Sequence, residues 1–350
     1  MIESHTHIHQ LIRNYSFIPF QSEMPECGCQ AWFYNEDDES SKHALHQHNP
    51  PQMVSGKQLE EIGVLHFRMD GLENDPKLDK LRKERGYSNF DVVNITKDFP
   101  AEKLEQFFDE HLHEDEEIRL CLDGSGFFDL RSKDDARWIR VHCTPGDLII
   151  VPAGIYHRFT LDENMYIKAM RLFTAAPKWI PFSRADEQTE GLPSRSDYKR
   201  FLETGISIVK AGAGEAILMG NGPQSLANYP HARRVNDLVY LSGFSSRRAD
   251  NTHRGAVKNE QGEWELDVYE QTCGVIENMK AVLEASGSDL EHLIDITVFL
   301  TDMSNYNRFN QAYNTYFNAI TGPARTTVAV KQLPHPNLLI EIKGVASVKK

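Results

Sequence analysis

The sequence has little of several features that define whole classes of proteins. It has only five cysteines among 350 residues (Cys27, Cys29, Cys121, Cys143 and Cys273), an odd, scattered set that favours reduced thiols over a disulfide framework. It has no basic excess, because the formal charge is -13. It also has no apolar run long enough to cross a bilayer and no basic-then-apolar leader. We therefore expect a protein of the cytoplasm, with the nucleus as an alternative, that binds neither nucleic acid nor membranes.

The length suggests two domains rather than one, since single cores stop growing near this size. Repeated strand and turn signals over residues 104–173 predict a small antiparallel barrel or sandwich, with short helices before it at 57–63 and 75–86. The predicted segments are an N-terminal extension (1–30), an all-β domain (31–190), a linker (191–205) and a C-terminal domain (206–350).

The C-terminal domain has a different pattern, in which helical and strand periodicities alternate. Apolar residues recur at three and four positions in two segments, and buried strands lie between and after them. The predicted elements are a strand at 238–243, a helix at 269–283, a strand at 294–300, a helix at 309–320 and strands at 326–330 and 338–348. This order predicts an α+β domain with two helices covering one sheet face.

Four residues have the chemistry and spacing of a metal site: His111, His113, Glu117 and His157. Three imidazoles and one carboxylate suit a divalent transition metal such as iron, nickel or manganese. Alternate residues of a strand share a face, so His111 and His113 point the same way. An extended chain from His113 to Glu117 would span roughly 13 Å. The intervening residues 114–116 must therefore bend and return Glu117 on a second strand, while His157 comes from a third segment.

The same alternation predicts what else lies beside the metal. Glu117 and Arg119 share one strand face, His157 pairs with Phe159 in the same way, and Arg171 faces inward from a later strand. Two buried arginines are costly unless an anion offsets them. Either Arg119 pairs structurally with Glu116 or Glu117, or it neutralises an anionic substrate. Four protein ligands leave two positions open on a six-coordinate ion.

At these residues the chain resembles the acireductone dioxygenases of the cupin superfamily. The words that carry the resemblance are Glu110-His111-Leu112-His113, Trp138-Ile139-Arg140, the segment from Pro152 to Thr160, and the segment from Lys168 to Phe173. Two positions depart from the family pattern: Glu105 replaces a glycine, and Cys121 replaces a commoner aromatic residue.

The resemblance implies a cupin barrel with iron(II) or nickel(II) held by His111, His113, Glu117 and His157. It implies cleavage of 1,2-dihydroxy-3-keto-5-methylthiopentene by dioxygen in methionine salvage, with Arg119 binding the substrate anion and Phe159 in the pocket wall. Arg171, which strand alternation turns inward, is predicted to bind the substrate as well. Iron would give a keto acid and formate, whereas nickel would give carbon monoxide, formate and methylthiopropionate. An alternative is a cupin dioxygenase that cleaves an aromatic ring.

Two charged residues stand out in the C-terminal domain. Arg325 opens a strand after Gly322-Pro323-Ala324, and Glu341 interrupts an apolar strand. A buried acid either pairs or has its pKa raised, which suits a general acid or base. Arg325 could pair with Glu341, or it could clamp a substrate carboxylate.

This half resembles the Rid/YjgF family of reactive-intermediate deaminases. The matching words are Asn228-Tyr229-Pro230-His231, Leu241-Ser242-Gly243, Pro323-Ala324-Arg325-Thr326 and Ile340-Glu341-Ile342, and the segment 245–252 is similar to the 2-aminomuconate deaminase branch. The resemblance implies a homotrimer with sites between subunits, in which Tyr229 and Gly243 line the pocket. Arg325 would bind a carboxylate, and Glu341 would position water to hydrolyse an imine or enamine. The alternative is a trimerising module without turnover.

Overall fold

The computed structural model describes residues 30–174, 180–210, 214–220, 222–223, 225–227 and 229–349. The predicted N-terminal extension lies outside the described residues except for Gln30. The chain divides into two compact units, with the boundary between Glu203 and Thr204. Among the described residues, no helix combines the length and apolar character that a membrane crossing requires.

The N-terminal unit is built on two antiparallel sheets, as the barrel prediction requires. The six-stranded sheet has the order β1-β7-β6-β9-β4-β11, and the five-stranded sheet has the order β2-β8-β5-β10-β3. The strands are β1 Gln30–Phe33, β2 Leu65–Arg68, β3 Asn89–Thr96, β4 His111–Leu112, β5 Glu117–Gly124, β6 Gly126–Arg131, β7 Trp138–Cys143, β8 Asp147–Val151, β9 His157–Leu161, β10 Tyr166–Phe173 and β11 Phe182–Ser183.

Both faces of the five-stranded sheet are covered. Along β8, Leu148 and Ile150 pack in a cluster with Leu78 and Leu81, while Ile149 and Val151 pack in a second cluster with residues of the other sheet. A strand buried on both faces reads as a continuous apolar run, which is why Leu-Ile-Ile-Val shows no alternation.

Four α-helices accompany these sheets: α1 Gly56–Glu60, α2 Pro76–Arg85, α3 Ala101–Phe108 and α4 Pro193–Thr204. The two predicted short helices correspond to α1 and α2. Asp75 caps the start of α2 by accepting from the Lys77 amide, and Gly86 ends it at φ 70°, a conformation that favours glycine.

The strand pattern predicted from residue 104 is wrong at its beginning, because residues 104–108 belong to α3. Leu104 and Phe107 recur at helical spacing and pack against Ile95 and Val93 of β3. The helix therefore packs against the barrel through Leu104 and Phe107.

The predicted linker at 191–205 is instead largely a helix of the N-terminal unit, α4. Tyr198 and Phe201 are buried in the barrel core, and the Tyr198 hydroxyl donates to the Ile62 carbonyl at 3.1 Å. Arg195 is also buried and donates to the Gly154 carbonyl at 3.2 Å. The polar residues around Tyr198 and Phe201 conceal this amphipathic pattern in the sequence.

The C-terminal unit has the α+β architecture predicted for it. One sheet has the order β12-β13-β14-β15-β20-β18-β19, in which only β18 and β19 pair in parallel, and β16 and β17 form a separate ribbon. The elements are β12 Ile206–Lys210, β13 Glu215–Met219, β14 Ala232–Val235, β15 Leu238–Leu241, β16 Ala256–Lys258, β17 Trp264–Leu266, α5 Val268–Ala285, β18 Leu293–Leu300, α6 Tyr306–Tyr313, β19 Ala324–Ala329 and β20 Ile340–Ser347.

Apolar residues of α5 and α6 pack on the sheet in one core, with Met279 and Phe309 beside Ile296 and Ile340. The sequence prediction missed β12, β13, β14 and the ribbon. It also placed the end of the second helix at residue 320, whereas α6 ends at Tyr313. Short 3₁₀ helices occur at Leu72–Asn74, Thr189–Gly191, Leu290–His292 and Met303–Asn305.

If α4 is part of the barrel, Phe201→Ala should destabilise the N-terminal unit by about 3 kcal/mol, because it removes a buried aromatic ring and leaves a cavity. Urea unfolding followed by near-UV circular dichroism would measure the loss. Glu203→Ala, an exposed position in the same helix, is the control and should stay within about 0.5 kcal/mol. Equal effects of the two variants would contradict the packing.

Candidate metal centre

The structure brings His111, His113, Glu117 and His157 together. One donor atom from each lies within 4.8 Å of the donors of all the others. The carboxylate of Glu117 lies 3.1 Å from His113 Nε2 and 3.0 Å from His157 Nε2. Four donors this close are suited to share one ion.

The backbone explains the convergence. His111 on β4 pairs directly with His157 on β9 in an antiparallel register, so their rings lie 4.6 Å apart. The chain bends at Glu114 and Asp115, and Glu117 then begins β5. The bend therefore lies where the sequence places it.

Hydrogen bonds to backbone carbonyls fix the three imidazoles. The Nδ1 atom of His111 lies 2.7 Å from the Asp109 carbonyl, that of His113 lies 3.0 Å from the Ile180 carbonyl, and that of His157 lies 3.1 Å from the Ile155 carbonyl. A carbonyl only accepts, so each Nδ1 carries the proton. In a neutral ring, the lone pair is then on Nε2, which faces the site, the arrangement found around metal-bound histidines.

The electrostatics of the cluster favour a neutral His111 beside an ionised Glu117 carboxylate. Burial lowers the pKa of His111 to about 3, and the neighbouring His157 and His113 add to the shift. Burial alone would raise the pKa of Glu117, but Arg119, His113 and His157 outweigh it and hold the pKa well below its usual range. Metal ligands must be deprotonated, so this is the protonation state that a cation requires.

The two arginines lie beside the cluster with acidic partners. Arg119 Nη2 lies 3.0 Å from Glu117, whereas Glu116 accepts instead from Arg85. Arg171 forms two hydrogen bonds to Asp91, at 2.6 and 2.7 Å. The structural pairing that the sequence left open for Arg119 is therefore present, and its guanidinium still lines the site.

All seven residues predicted for this site line one cavity of about 280 Å³. Apolar side chains form most of its remaining wall: Val93, Ile95, Phe99, Phe107, Phe128, Ile167 and Ala169. Such a cavity, with a few convergent polar groups, is typical of a small-molecule site.

Sequence reasoning missed several lining residues. Lys103, Gln106 and Phe107 come from α3, which the sequence did not predict, and Cys143 lies at the end of β7. An amphipathic period over 101–108 is the signal that would have found the first three.

The predicted residues of the C-terminal unit are only partly brought together. Tyr229 and Gly243 line a small cleft, and Glu341 lies directly against Gly243. Burial raises the pKa of Glu341.

Arg325 lies apart from them. It is on the edge strand β19 and donates to Asn310 at 2.9 Å and to the Tyr306 hydroxyl at 3.3 Å, with its guanidinium 4.5 Å from the Tyr313 ring centre. On β18, the partner of Arg325 is Ile296 and that of Glu341 is Phe299, roughly 10 Å apart along the strand. The Arg325–Glu341 pair is therefore not formed within the chain.

Comparison with known proteins relates the two units to different families. Residues 30–181 match the model of the ARD/ARD' family. Acireductone dioxygenase 1 of Physcomitrium patens is 47% identical over 186 residues, which cover 51% of this chain and 93% of that protein. Acireductone dioxygenase of Branchiostoma floridae is 52% identical over 176 residues, which cover 49% of this chain and 97% of that protein.

Residues 219–348 match the family model described as Endoribonuclease L-PSP, and the C-terminal unit is a domain of this Rid/YjgF family. One similar solved structure is the crystal structure of YyfA from Yersinia pestis, a protein of the conserved Rid protein family. It is 30% identical in sequence, and the match covers 37% of this chain and 94% of the YyfA chain with a TM-score of 0.31.

Removing one donor tests the metal assignment. His113→Ala should weaken nickel(II) binding at least about 100-fold, since even changes in residues that orient ligands cost 10–100-fold. Isothermal titration of the metal-free protein would measure the affinity. His142→Ala is the control, because this histidine lies on β7 outside the four-donor group and should leave the affinity unchanged. Unchanged binding in His113→Ala would remove that residue from the ligand set.

Proposed function

Because this chain belongs to the acireductone dioxygenase family, we propose that its N-terminal unit uses iron(II) or nickel(II) to cleave an acireductone with dioxygen. The proposed substrate is 1,2-dihydroxy-3-keto-5-methylthiopentene, which would give the chain a role in methionine salvage. The observation that carries this proposal is the group of four donors in the wall of an otherwise largely apolar cavity.

The donor set fits such an ion. Three imidazole Nε2 atoms and one carboxylate are ligands that suit iron(II) and nickel(II), and the carbonyl hydrogen bonds hold the rings in place. When bound, the metal supplies Lewis-acid and redox chemistry with dioxygen.

Arg119 supports binding of an anionic enediolate. Its guanidinium lies on the same face of β5 as Glu117, two residues further along the strand. Burial lowers the pKa of Arg119, Glu117 opposes that shift and Arg171 adds to it, so a second anion would stabilise the charged form. Arg171 is held by two hydrogen bonds to Asp91 and adds a second positive charge near Arg119.

The apolar wall suits the thioether end of the substrate. Phe159 and Phe128 have ring centres 5.0 Å apart, and Phe107 on α3 lines the same cavity. Their rings would bury the tail and exclude water, which strengthens the electrostatic contacts of the reacting end.

For the C-terminal unit we propose hydrolysis of an imine or enamine, with Glu341 positioning water and Arg325 binding a carboxylate. The support is the raised pKa of Glu341 beside the cleft that Tyr229 and Gly243 line. Since Arg325 lies apart from these residues in one chain, we propose that sites form between copies in a homotrimer.

The first test supplies metal-loaded protein with the acireductone and follows oxygen consumption and products. Arg119→Ala should lower kcat/KM by about 100–1,000-fold, the usual effect of losing a buried charge-stabilising donor. Metal content should be retained, because all four donors remain.

Lys168→Ala is the matched control, since Lys168 projects from β10 on the face opposite Arg171. Wild-type turnover in Arg119→Ala would contradict the substrate-binding role. Absence of oxygen uptake by the wild-type protein with either metal would contradict the dioxygenase itself.

The second test measures ammonia release from 2-aminomuconate. Arg325→Ala should raise KM at least about 10-fold, because it removes a charge-assisted partner of the carboxylate. Glu341→Gln should mainly lower kcat, since the amide cannot accept a proton from water. Arg308→Ala, an exposed arginine of α6, is the control. A wild-type profile in both active-site variants would favour a module without turnover.

A further inference from the structure

A small cleft in the C-terminal unit has a well-defined floor. Phe244 pairs with Ile342 through two backbone hydrogen bonds, of 2.8 and 3.0 Å. This pairing sets Gly243 against the Glu341 side chain, because the two residues precede the paired ones. The cleft continues from Gly243 to Ser245 and Arg247.

Arg247 gives the cleft its charge. Among the described residues that line it, Arg247 is the only cation, and none is an acid. His231 contributes no charge, because its Nδ1 accepts from the Met219 amide at 3.1 Å and its Nε2 then donates to the Pro223 carbonyl at 2.9 Å. Burial also lowers the pKa of His231. The cleft is therefore suited to an anion.

Arg247 lies on a loop that is held in place. The Asn278 amide on α5 donates to the carbonyls of Ser245 at 2.9 Å and Arg247 at 3.0 Å. Arg247 also forms a backbone bridge with His253, and Asn251 accepts from its guanidinium at 3.0 Å. A side chain anchored in this way loses little freedom when it binds a ligand.

The size of the cleft suits a compact anionic group at Arg247. Its volume is about 40 Å³, which is room for a group of a few heavy atoms. A carboxylate has that size and matches the guanidinium fork.

We propose that Arg247 binds the second carboxylate of a dicarboxylate imine or enamine and so selects such substrates over monocarboxylates. This inference rests on the deaminase function proposed above. Arg325 lies on strand β19, where Asn310 and Tyr306 hold its side chain, and it would bind the other carboxylate. Glu341 lies beside Gly243 at the same cleft.

The kinetic test compares 2-aminomuconate with 2-aminoacrylate, which carries one carboxylate. In Arg247→Ala the kcat/KM for 2-aminomuconate, divided by that for 2-aminoacrylate, should fall about 100-fold. Arg248→Ala, the exposed neighbour, should leave both rates unchanged. An unchanged ratio in Arg247→Ala, or an equal loss on both substrates, would overturn the assignment.

A binding test separates this inference from the deaminase proposal. Muconate and sorbate are unreactive six-carbon dienes with two carboxylates and one carboxylate, respectively. Isothermal titration of the full wild-type chain should show that muconate binds at least about 10-fold more tightly than sorbate. In Arg247→Ala the two ligands should bind with equal affinity. This result would support the subsite even if no imine is hydrolysed. Equal affinities in the wild-type protein would overturn it.

Discussion

Three hydrogen bonds from imidazole Nδ1 atoms to backbone carbonyls are the constraint on which the metal centre depends. The carbonyls of Asp109 and Ile155 lie two residues before the histidines that they hold, so the local chain path alone orients those rings. Ile180 comes from a distant segment and ties His113 to the chain just before β11. The same bonds select the imidazole tautomer and point the Nε2 atoms toward the site. The fold therefore also determines which nitrogen atoms can bind a metal.

The cavity shows how a barrel keeps charge inside a largely apolar wall. Each of the two arginines beside the cavity has a carboxylate partner, Glu117 for Arg119 and Asp91 for Arg171, so each positive charge is compensated. One of those partners is itself in the donor group. Glu117 thereby couples the charge on Arg119, which faces the substrate in the proposed function, to the charge of the donor group.

Local regularities made much of this predictable from the sequence. Alternation along β5 placed Glu117 and Arg119 on the cavity face, and the distance argument placed the bend before Glu117. Elements whose apolar residues are few or interrupted by charge were not predicted, as α3 and α4 show. The position of Arg325 could not be deduced, because pairing across β18 depends on register that no local pattern specifies. Arg247 was passed over because a loop arginine has no periodicity to mark it.

The contact between α4 and the barrel fixes where the two halves can be separated. Gly154, at φ 81°, lies so close to the Ser194 backbone that a β-carbon would not fit, and this glycine stands three residues before His157. The match to the dioxygenase family ends at residue 181, before the helix begins. A fragment that ends at residue 181 would therefore lack α4 and expose Gly154, close in the chain to His157. Cleavage between Glu203 and Thr204 would keep the barrel intact, and the boundary between the two parts of the fusion is best placed there.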